Sequence, residues 1–455
     1  MGTQIFSLVV LAAIITIGTW KSIHIGVLAL VAAFGVGTLL DGQSIKDIMS
    51  GFPVSILVLL LGITYLFSIV RESGAIDWIV QKTLALVGGR AYAIPWVFFL
   101  LAALLGSMGS SLTSLALAPI AMIFAGKHRL HPLLMALTIV LGGGAGGFAP
   151  TSLFGIITTG VSLDNGIEPH PWLLFAVAFA INLVLFVLAF AVLARRTRPA
   201  AEPDASGGTS AGPSDAHPEP LRPGGGSLSA AGAAPAPTAT AVAVEDEAPA
   251  VLSLSRYQLV CLTAVATLMG LVIAFMFLDI DSDVGVLALA LALVISVLYP
   301  GRTREAIKGV DWSTILLVGG ILTYVGVMQR MGTVELLGHA AESVGSPLLA
   351  AFALCLVAAF VSAFASTTGI LGALIPLAIP VIAIGGLPGF GLIMAIAISS
   401  NLVDSTPFSS PGATCIANAE PSQRSKLTRM MLAWGFAMIV IGPVVTVTTL
   451  VVPGM

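Results

Sequence analysis

One carboxylate stands out because it lies inside a long apolar stretch. Asp404 falls within SSNLVDSTPFSS, in the middle of the segment 388–417, and it is the only Asp or Glu in any span that we predict. Ionisable groups at membrane depth are costly and usually functional. We therefore predict that Asp404 forms a cation site or a proton site, with Asn401 one helical turn before it sharing this role. The structural alternative is that Asp404 only caps the following helix.

Two clusters of small hydroxyl residues interrupt other apolar segments. They are GSMGSSLTS, residues 106–114, and SAFASTTG, residues 362–369. A helix that begins at such a cluster would present free N–H groups and the positive end of its dipole, which can hold a carboxylate. The predicted substrate-binding residues are these hydroxyls together with residues near Asp404 and at an equivalent position in the first half: Ser110, Ser111, Thr113, Ser366, Thr367, Thr368, Pro150, Thr151 and Pro407.

A glycine-rich stretch, GGGAGGFAPTS at residues 142–152, interrupts the segment 131–160 in a similar way. Unwound helices release carbonyl oxygens, which are suitable ligands for Na⁺. The predicted cation-binding residues are therefore Gly109, Gly144, Gly146, Asn401, Asp404, Ser405 and Thr406. We expect no cofactor and no resident metal, with Na⁺ considered only as a coupling ion.

The composition requires a membrane around these segments. Of 455 residues, 57% are hydrophobic and 9% charged, and the mean hydropathy is +1.04. Such a chain cannot coat a soluble globule with polar surface. The basic residues are scattered between apolar runs rather than gathered on a face, so no nucleic-acid partner is expected. Catalysis is not expected either, because no nucleophile, base or metal cluster falls at membrane depth.

The two hydroxyl clusters predict re-entrant hairpins. A bilayer core of about 30 Å requires about 20 residues of helix, whereas each arm on either side of the first cluster has only about 14 residues. The chain must therefore turn back at mid-membrane. Irregular backbone at that depth is tolerated only where it is buried in protein or lines a wet cavity, so both tips predict a site.

A repeat divides the chain into two halves. HIGVLALVAAFGVGTLLDG, residues 24–42, aligns without gaps with DVGVLALALALVISVLYPG, residues 283–301, at an offset of 259. At an offset of 257, Pro119 pairs with Pro376 and Pro150 with Pro407. We predict a first transmembrane repeat over 1–198, with hairpin 95–125 and broken helix 131–160. The second repeat covers 251–455, with hairpin 347–384 and broken helix 388–417. The polar segment 199–250, rich in Ala, Pro, Gly and Ser, is predicted to be a disordered cytoplasmic linker.

Charge distribution predicts the topology. Each half crosses the membrane five times if its hairpin is re-entrant, and an odd number turns the second half upside down. Lys and Arg are retained on the cytoplasmic side. With both termini outside, all but Lys46 and Arg330 of the 19 Lys and Arg residues fall inside. The predicted fold is therefore an all-α polytopic membrane protein of two inverted repeats, each with five transmembrane helices and a re-entrant hairpin, in the inner or plasma membrane. Its broken helices lie at mid-membrane.

The hairpins, the breaks and three local segments resemble the MatC-type malonate and dicarboxylate carriers, within the ion transporter superfamily that includes the divalent anion sodium symporters. The segments are TYLFSIVRESGAIDW, IPWVFFLLAALLG and GGFAPTSLFG. Sodium symporters of this group have Ser-Asn-Thr ten residues before a proline at each tip. This chain has Gly109, Ser110 and Ser111 at one tip and Ser366, Thr367 and Thr368 at the other, without the asparagine. The resemblance implies an elevator-like mechanism, interfacial helices at 75–86 and 334–344, and a homodimer.

The leading functional hypothesis is secondary active transport of a small carboxylate anion, a C3 or C4 dicarboxylate such as malonate, succinate or malate, coupled to Na⁺ or H⁺. The predicted partners are therefore this small organic anion and the lipid bilayer. A cation/proton antiporter that uses Asp404 is the alternative. A channel would not need paired inverted hairpins.

Overall fold

The computed structural model describes residues 2–21, 23–86, 92–109, 113–194, 254–278, 283–333, 336, 346–364 and 367–454. The predicted linker 199–250 and most of the predicted interfacial helix 334–344 lie outside these ranges. Met1–Thr197 and Leu254–Met455 together form one compact unit. The described residues contain helices and connecting turns but no β-strand.

The helices of the first half follow one another with short connections. They are α1 Gly2–Lys21, α2 Ile25–Leu40, α3 Ile45–Ser50, α4 Val54–Glu72, α5 Ala75–Leu86, α6 Ala93–Ser107, α7 Thr113–Lys127, α8 Pro132–Gly146, α9 Leu153–Asp164 and α10 Pro171–Leu193.

The second half repeats this order. Its helices are α11 Arg256–Phe277, α12 Val284–Leu298, α13 Trp312–Arg330, α14 Pro347–Ser362, α15 Thr367–Gly385, α16 Gly389–Leu402, α17 Ser410–Ala417 and α18 Pro421–Thr446. A 3₁₀ turn, Ala306–Gly309, takes the place of α3. The chain is thus an all-α polytopic membrane protein, as predicted; the inverted relation of its halves stays a prediction.

Length and hydropathy together identify five segments of the described chain that could cross a bilayer alone. These are Val54–Glu72, Pro171–Leu193, Trp312–Arg330, Gly389–Ala417 and Pro421–Gly454. The hairpin arms α6 and α7 have 15 residues each, about 22 Å of helix at 1.5 Å per residue. Neither arm can span the hydrocarbon core, which agrees with a turn inside the membrane.

Local sequence fixes several helix starts. Four helices, α8, α10, α14 and α18, begin at a proline, which suits the first helical turn because its missing N–H would have no partner there. The last helix begins at Pro421. Its first turns, up to Arg429, are polar and precede the apolar run, because a helix can extend beyond the membrane core.

The two halves exchange helices reciprocally. Helix α2 packs on α13, and its counterpart α12 packs on α4, the counterpart of α13. Both crossings use paired glycines. A β-carbon on Gly320 would clash with the carbonyl oxygen of Gly26, and one on Gly62 would clash with that of Gly285. Gly26 aligns with Gly285 at the offset of 259, and Gly320 lies one residue before the position that aligns with Gly62, so the two halves make similar but not identical joints.

Candidate functional site

Each hydroxyl cluster spans the end of one helix and the start of the next. Helix α6 ends at Ser107, and Gly109 follows in the left-handed region at φ +73°, which favours glycine. The return arm α7 begins at Thr113, which is buried. In the second hairpin α14 ends at Ser362, and the return arm α15 begins at Thr367, with Thr367 and Thr368 both buried.

A serine clamps the break in the first broken helix. The helix is interrupted between the end of α8 at Gly146 and the start of α9 at Leu153. The buried hydroxyl of Ser152 donates to the carbonyl oxygens of Gly147 and Ala149, the latter at 2.8 Å. The same two carbonyl oxygens also accept from the backbone N–H groups of Gly155 and Ser152, so the hydroxyl reinforces a turn that the backbone already closes.

The second break repeats this clamp residue for residue. Ser409 donates to the carbonyl oxygens of Asp404 and Thr406, the latter at 2.8 Å. Each of these residues lies 257 positions after its counterpart in the first break. The offset of 257 that relates the prolines of the two halves therefore also relates the hydrogen bonds of the two breaks. At this offset, Asp404 is the counterpart of Gly147.

Each break is tied to the tip of the neighbouring hairpin. The Thr151 hydroxyl donates to the Ser107 carbonyl oxygen at 2.9 Å. In the second half, the Thr406 hydroxyl donates to the Ala363 carbonyl oxygen, also at 2.9 Å. Both acceptors lie at the end of an outgoing hairpin arm, where carbonyls lack helical partners. Each tip and its break thus form one hydrogen-bonded unit.

The buried carboxylate of Asp404 lies at the second of these units. The Thr367 hydroxyl donates to Oδ1 at 2.6 Å, and the Asn401 amide donates to Oδ2 at 3.3 Å. Because Thr367 gives its only proton to Asp404, the 2.8 Å bond between Ser362 and Thr367 has Ser362 as donor. In the described chain no Lys, Arg or His forms an ion pair with Asp404.

The two broken helices meet at Gly144 and Asn401. A β-carbon on Gly144 would clash with Oδ1 of Asn401 and would lie 3.1 Å from Oδ1 of Asn182. Gly144 and Asn401 are themselves counterparts at the offset of 257. Two amide oxygens and the Asp404 carboxylate are therefore gathered where the halves meet, which is a set of hard oxygen ligands.

Most of the predicted site residues that the structure describes lie at these two units. Thr113, Thr367 and Thr368 are at the hairpins, Thr151, Ser405 and Thr406 are buried at the breaks, and Pro150 and Pro407 precede the clamp serines by two residues. Ser110, Ser111 and Ser366 lie outside the described residues. No hydrogen bond among the described residues joins the first tip to the second, so a single pocket formed by both tips stays a prediction.

The breaks are shorter than predicted. Helix α8 continues through Gly142–Gly146 and unwinds only at Gly147, because the glycines let it pack tightly against α6. A β-carbon on Gly146 would clash with the Ala103 carbonyl oxygen. Gly146 therefore allows α8 to pack closely on α6, and its carbonyl oxygen accepts from the Ala149 N–H at 2.9 Å. The second helix likewise runs to Leu402, and the break occupies 403–409 instead of beginning at Ser399.

Four polar residues at the site were missed by the sequence analysis. Ser362 lies in the second hydroxyl cluster but was not among the predicted site residues. For Ser152 and Ser409, the only indication in the sequence is that they occupy equivalent positions in the two halves. Asn182 did give one, because it is the only amide in the apolar run of α10. It is buried and donates to the Ala178 carbonyl oxygen at 2.9 Å.

A cavity of about 360 Å³ leads to the first hairpin tip. Thr64, Met108 and Gly109 line it beside the tip, and it also reaches Arg71 and Glu72 at the end of α4. Thr64 is only partly buried, whereas its counterpart Thr323 is completely buried. The two halves therefore differ in solvent access at equivalent positions.

The comparisons place the two halves among carriers. Residues 1–147 match the family model for the N-terminus of the dicarboxylate carrier protein MatC. Residues 272–454 match the family model for the citrate transporter. The comparison with curated proteins found no significant match.

The fold is similar to that of a solved transporter. The crystal structure of the Alcanivorax borkumensis YdaH transporter, which has an unusual topology, matches with a TM-score of 0.53 and 14% identity, covering 90% of this chain and 89% of that one. These matches indicate a carrier rather than an enzyme. They support the resemblance found in the sequence and indicate a multi-pass membrane transporter of carboxylates: residues 1–147 are similar to a dicarboxylate carrier, residues 272–454 are similar to a citrate transporter, and the fold is similar to that of a solved transporter.

Proposed function

We propose that this protein carries a C3 or C4 dicarboxylate, such as malonate, succinate or malate, across the inner or plasma membrane together with Na⁺ or H⁺. The observation that carries the proposal is the contact between Thr367, at the start of a hairpin return arm, and the buried carboxylate of Asp404. The substrate anion would bind at the helix starts of the tips. The cation would bind beside it at Asp404.

The charges explain why the two ligands would bind together. Asp404 has no basic partner in the described chain, and a buried carboxylate requires a counter-ion or a proton. A substrate carboxylate brought to the same unit adds negative charge. A co-bound cation stabilises both anions, so binding of the dicarboxylate would depend on the cation.

The difference between Thr64 and Thr323 supports alternating access. A cavity reaches the first tip beside Thr64, whereas the counterpart residue Thr323 is completely buried. In our proposal the hairpins and broken helices move together, elevator-like, against the remaining helices. Both termini would be outside and the linker cytoplasmic, and the protein would act as a homodimer.

Uptake by proteoliposomes tests this function. Labelled malonate, succinate and malate are offered with an inward Na⁺ gradient, with an inward proton gradient, and with neither. We expect accumulation of at least one of them under one gradient. The Asp404→Asn variant should lose gradient-driven accumulation, whereas the matched control Asp77→Asn, at an exposed position on α5, should retain it. Absence of accumulation under both gradients would contradict the proposal.

The antiporter alternative uses the same buried Asp404, and one measurement distinguishes it from the carrier proposal. It requires pH-dependent cation flux in vesicles that contain no carboxylate, and Asp404→Asn should abolish that flux. The carrier proposal instead requires that cation flux appear only when a transported dicarboxylate is added. Cation flux that no dicarboxylate affects would favour the antiporter.

A further inference from the structure

A groove remote from Asp404 has an apolar wall and a cationic rim. It has a volume of about 590 Å³ and lies between the start of α8, the end of α10 and α18. Leu133, Leu193 and Met430 contribute apolar surface, and Lys426 contributes an ammonium group. A smaller cavity of about 130 Å³ shares Lys426, Met430 and His131 with it. We call the pair the basic groove.

Two groups of the basic groove, the Lys426 ammonium and the Trp434 indole N–H, form no ion pair or hydrogen bond in the described chain. Lys426 is exposed and forms no ion pair there. The neighbouring Arg424 is already used, because it donates to the carbonyl oxygens of Ala417 and Ala419. The Trp434 indole N–H is buried and has no hydrogen-bond acceptor among the described residues. A ligand in the groove would supply both an anion for Lys426 and an acceptor for Trp434.

The spacing of these groups suits an amphiphile. Eight residues separate Lys426 from Trp434 on α18, which is about 12 Å along the helix axis. Charge therefore lies at one end of the groove, the indole lies deeper, and Ala433 and Ala437 leave space beside it. Trp commonly occupies the level of the lipid headgroups and glycerol, and acyl chains lie below it.

The charge of the surrounding segments points to the same ligand. Arg429 is exposed near Lys426 on α18, and Arg195 and Arg196 follow closely after Leu193 in the sequence. The topology predicted from charge places these residues on the cytoplasmic side, where anionic lipids attract Lys and Arg. Basic pockets between helices on that side are suited to phospholipid headgroups.

We propose that the basic groove is a binding site for an anionic phospholipid of the cytoplasmic leaflet. The lipid phosphate binds Lys426, a glycerol or ester oxygen accepts from the Trp434 indole, and an acyl chain lies along Leu133, Leu193 and Met430. The site shares no residue with the tips and breaks. Lipid binding is therefore independent of which dicarboxylate or coupling ion the carrier uses.

Fluorescence quenching by brominated lipids tests the proposal on the full-length protein. The difference between wild type and Trp434→Phe isolates the signal of Trp434 among the six tryptophans. Brominated phosphatidylglycerol is expected to quench this signal at a several-fold lower mole fraction than brominated phosphatidylcholine. In Lys426→Gln the two lipids should become equivalent. The matched control Lys82→Gln, an exposed lysine on α5, should keep the preference for phosphatidylglycerol.

Two outcomes would overturn the lipid site. One is equal quenching by the two lipids in the wild type, and the other is an unchanged preference in Lys426→Gln. Competition by glycerol phosphate at millimolar concentration would show a site for a soluble anion and would also contradict the proposal. The lipid preference should persist in Asp404→Asn, so failure of the transport proposal leaves this test intact.

Discussion

The carboxylate of Asp404 owes its properties to three neighbours that come from different parts of the chain. Thr367 and Ser362 belong to the second hairpin, and Asn401 precedes Asp404 on the broken helix. The counterpart of Asp404 in the first half is Gly147, which has no side chain to ionise. The duplication therefore produced two equivalent units of hairpin tip and helix break, and at this position only the second unit carries an acidic side chain.

The first prediction concerns the hydrogen bond to this acid. Thr367→Val keeps the shape of the side chain but removes the donor to Oδ1 of Asp404. Hydrogen bonds to charged groups contribute about 1.5–3 kcal/mol, so half-maximal transport should require about 10-fold to 100-fold more coupling cation. Thr367→Ser should restore most of the affinity. Thr263→Val, at an exposed threonine of α11, should behave as wild type, and an unaltered cation dependence in Thr367→Val would exclude this role.

The elements around the site are held by close backbone packing as much as by apolar side chains. Helix α8 lies against α6 through glycines, and this contact keeps the helix continuous to Gly146 although glycine is a poor helix former. The serine clamps then fix the turn that follows. The position of each break thus depends on the helices and side chains packed around it, and not on the number of glycines in the segment.

Substitution of two glycines tests this packing. Gly146→Ala places a methyl group against the Ala103 carbonyl and should separate α6 from α8. Overpacking of this kind typically costs about 1–3 kcal/mol. Gly126→Ala is the matched control, since nothing lies within 4 Å of its added β-carbon, and alanine favours helix there. Thermal unfolding in detergent should show a lower midpoint for Gly146→Ala only; equal midpoints for the two variants would contradict the packing role.

At the scale of the whole molecule, the two halves depend on each other. Helices α2 and α12 each pack against the opposite half, and both crossings are close enough to require glycine. Tyr65 and Tyr324 are counterparts that add hydrogen bonds to other helices, with Ser296 at 3.3 Å and with the Ser7 carbonyl oxygen at 2.9 Å. The exchange implies that neither half would be complete alone.

Cleavage of the linker tests this dependence. A protease site placed within 199–250, a segment whose composition cannot support a folded core, should be cut without loss of structure. We expect the two fragments to migrate together on size exclusion in mild detergent, with the transport activity of the uncut protein. Separation of the fragments under conditions where the uncut protein stays monodisperse would show that the reciprocal packing does not hold the halves together.

The class of the protein and the order of its helices can be predicted from sequence patterns alone. Apolar runs of limited length, interrupted by hydroxyl and glycine clusters, can satisfy their backbone groups in lipid only as helices and buried turns. The offset between the halves located equivalent residues, including the pairs Pro150 and Pro407, before any contact was known. The resemblance to MatC-type carriers followed from the same segments.

Which polar groups contact one another depends on the tertiary structure. Thr367 and Asp404 are 37 residues apart, and Gly144 and Asn401 come from opposite halves; no periodicity encodes such distances. Tertiary packing also kept α8 helical through its glycines, against their intrinsic propensity. The physical reason is that local sequence sets backbone preferences and membrane depth, whereas the contacts of a buried polar group depend on the close packing of helices distant in the chain.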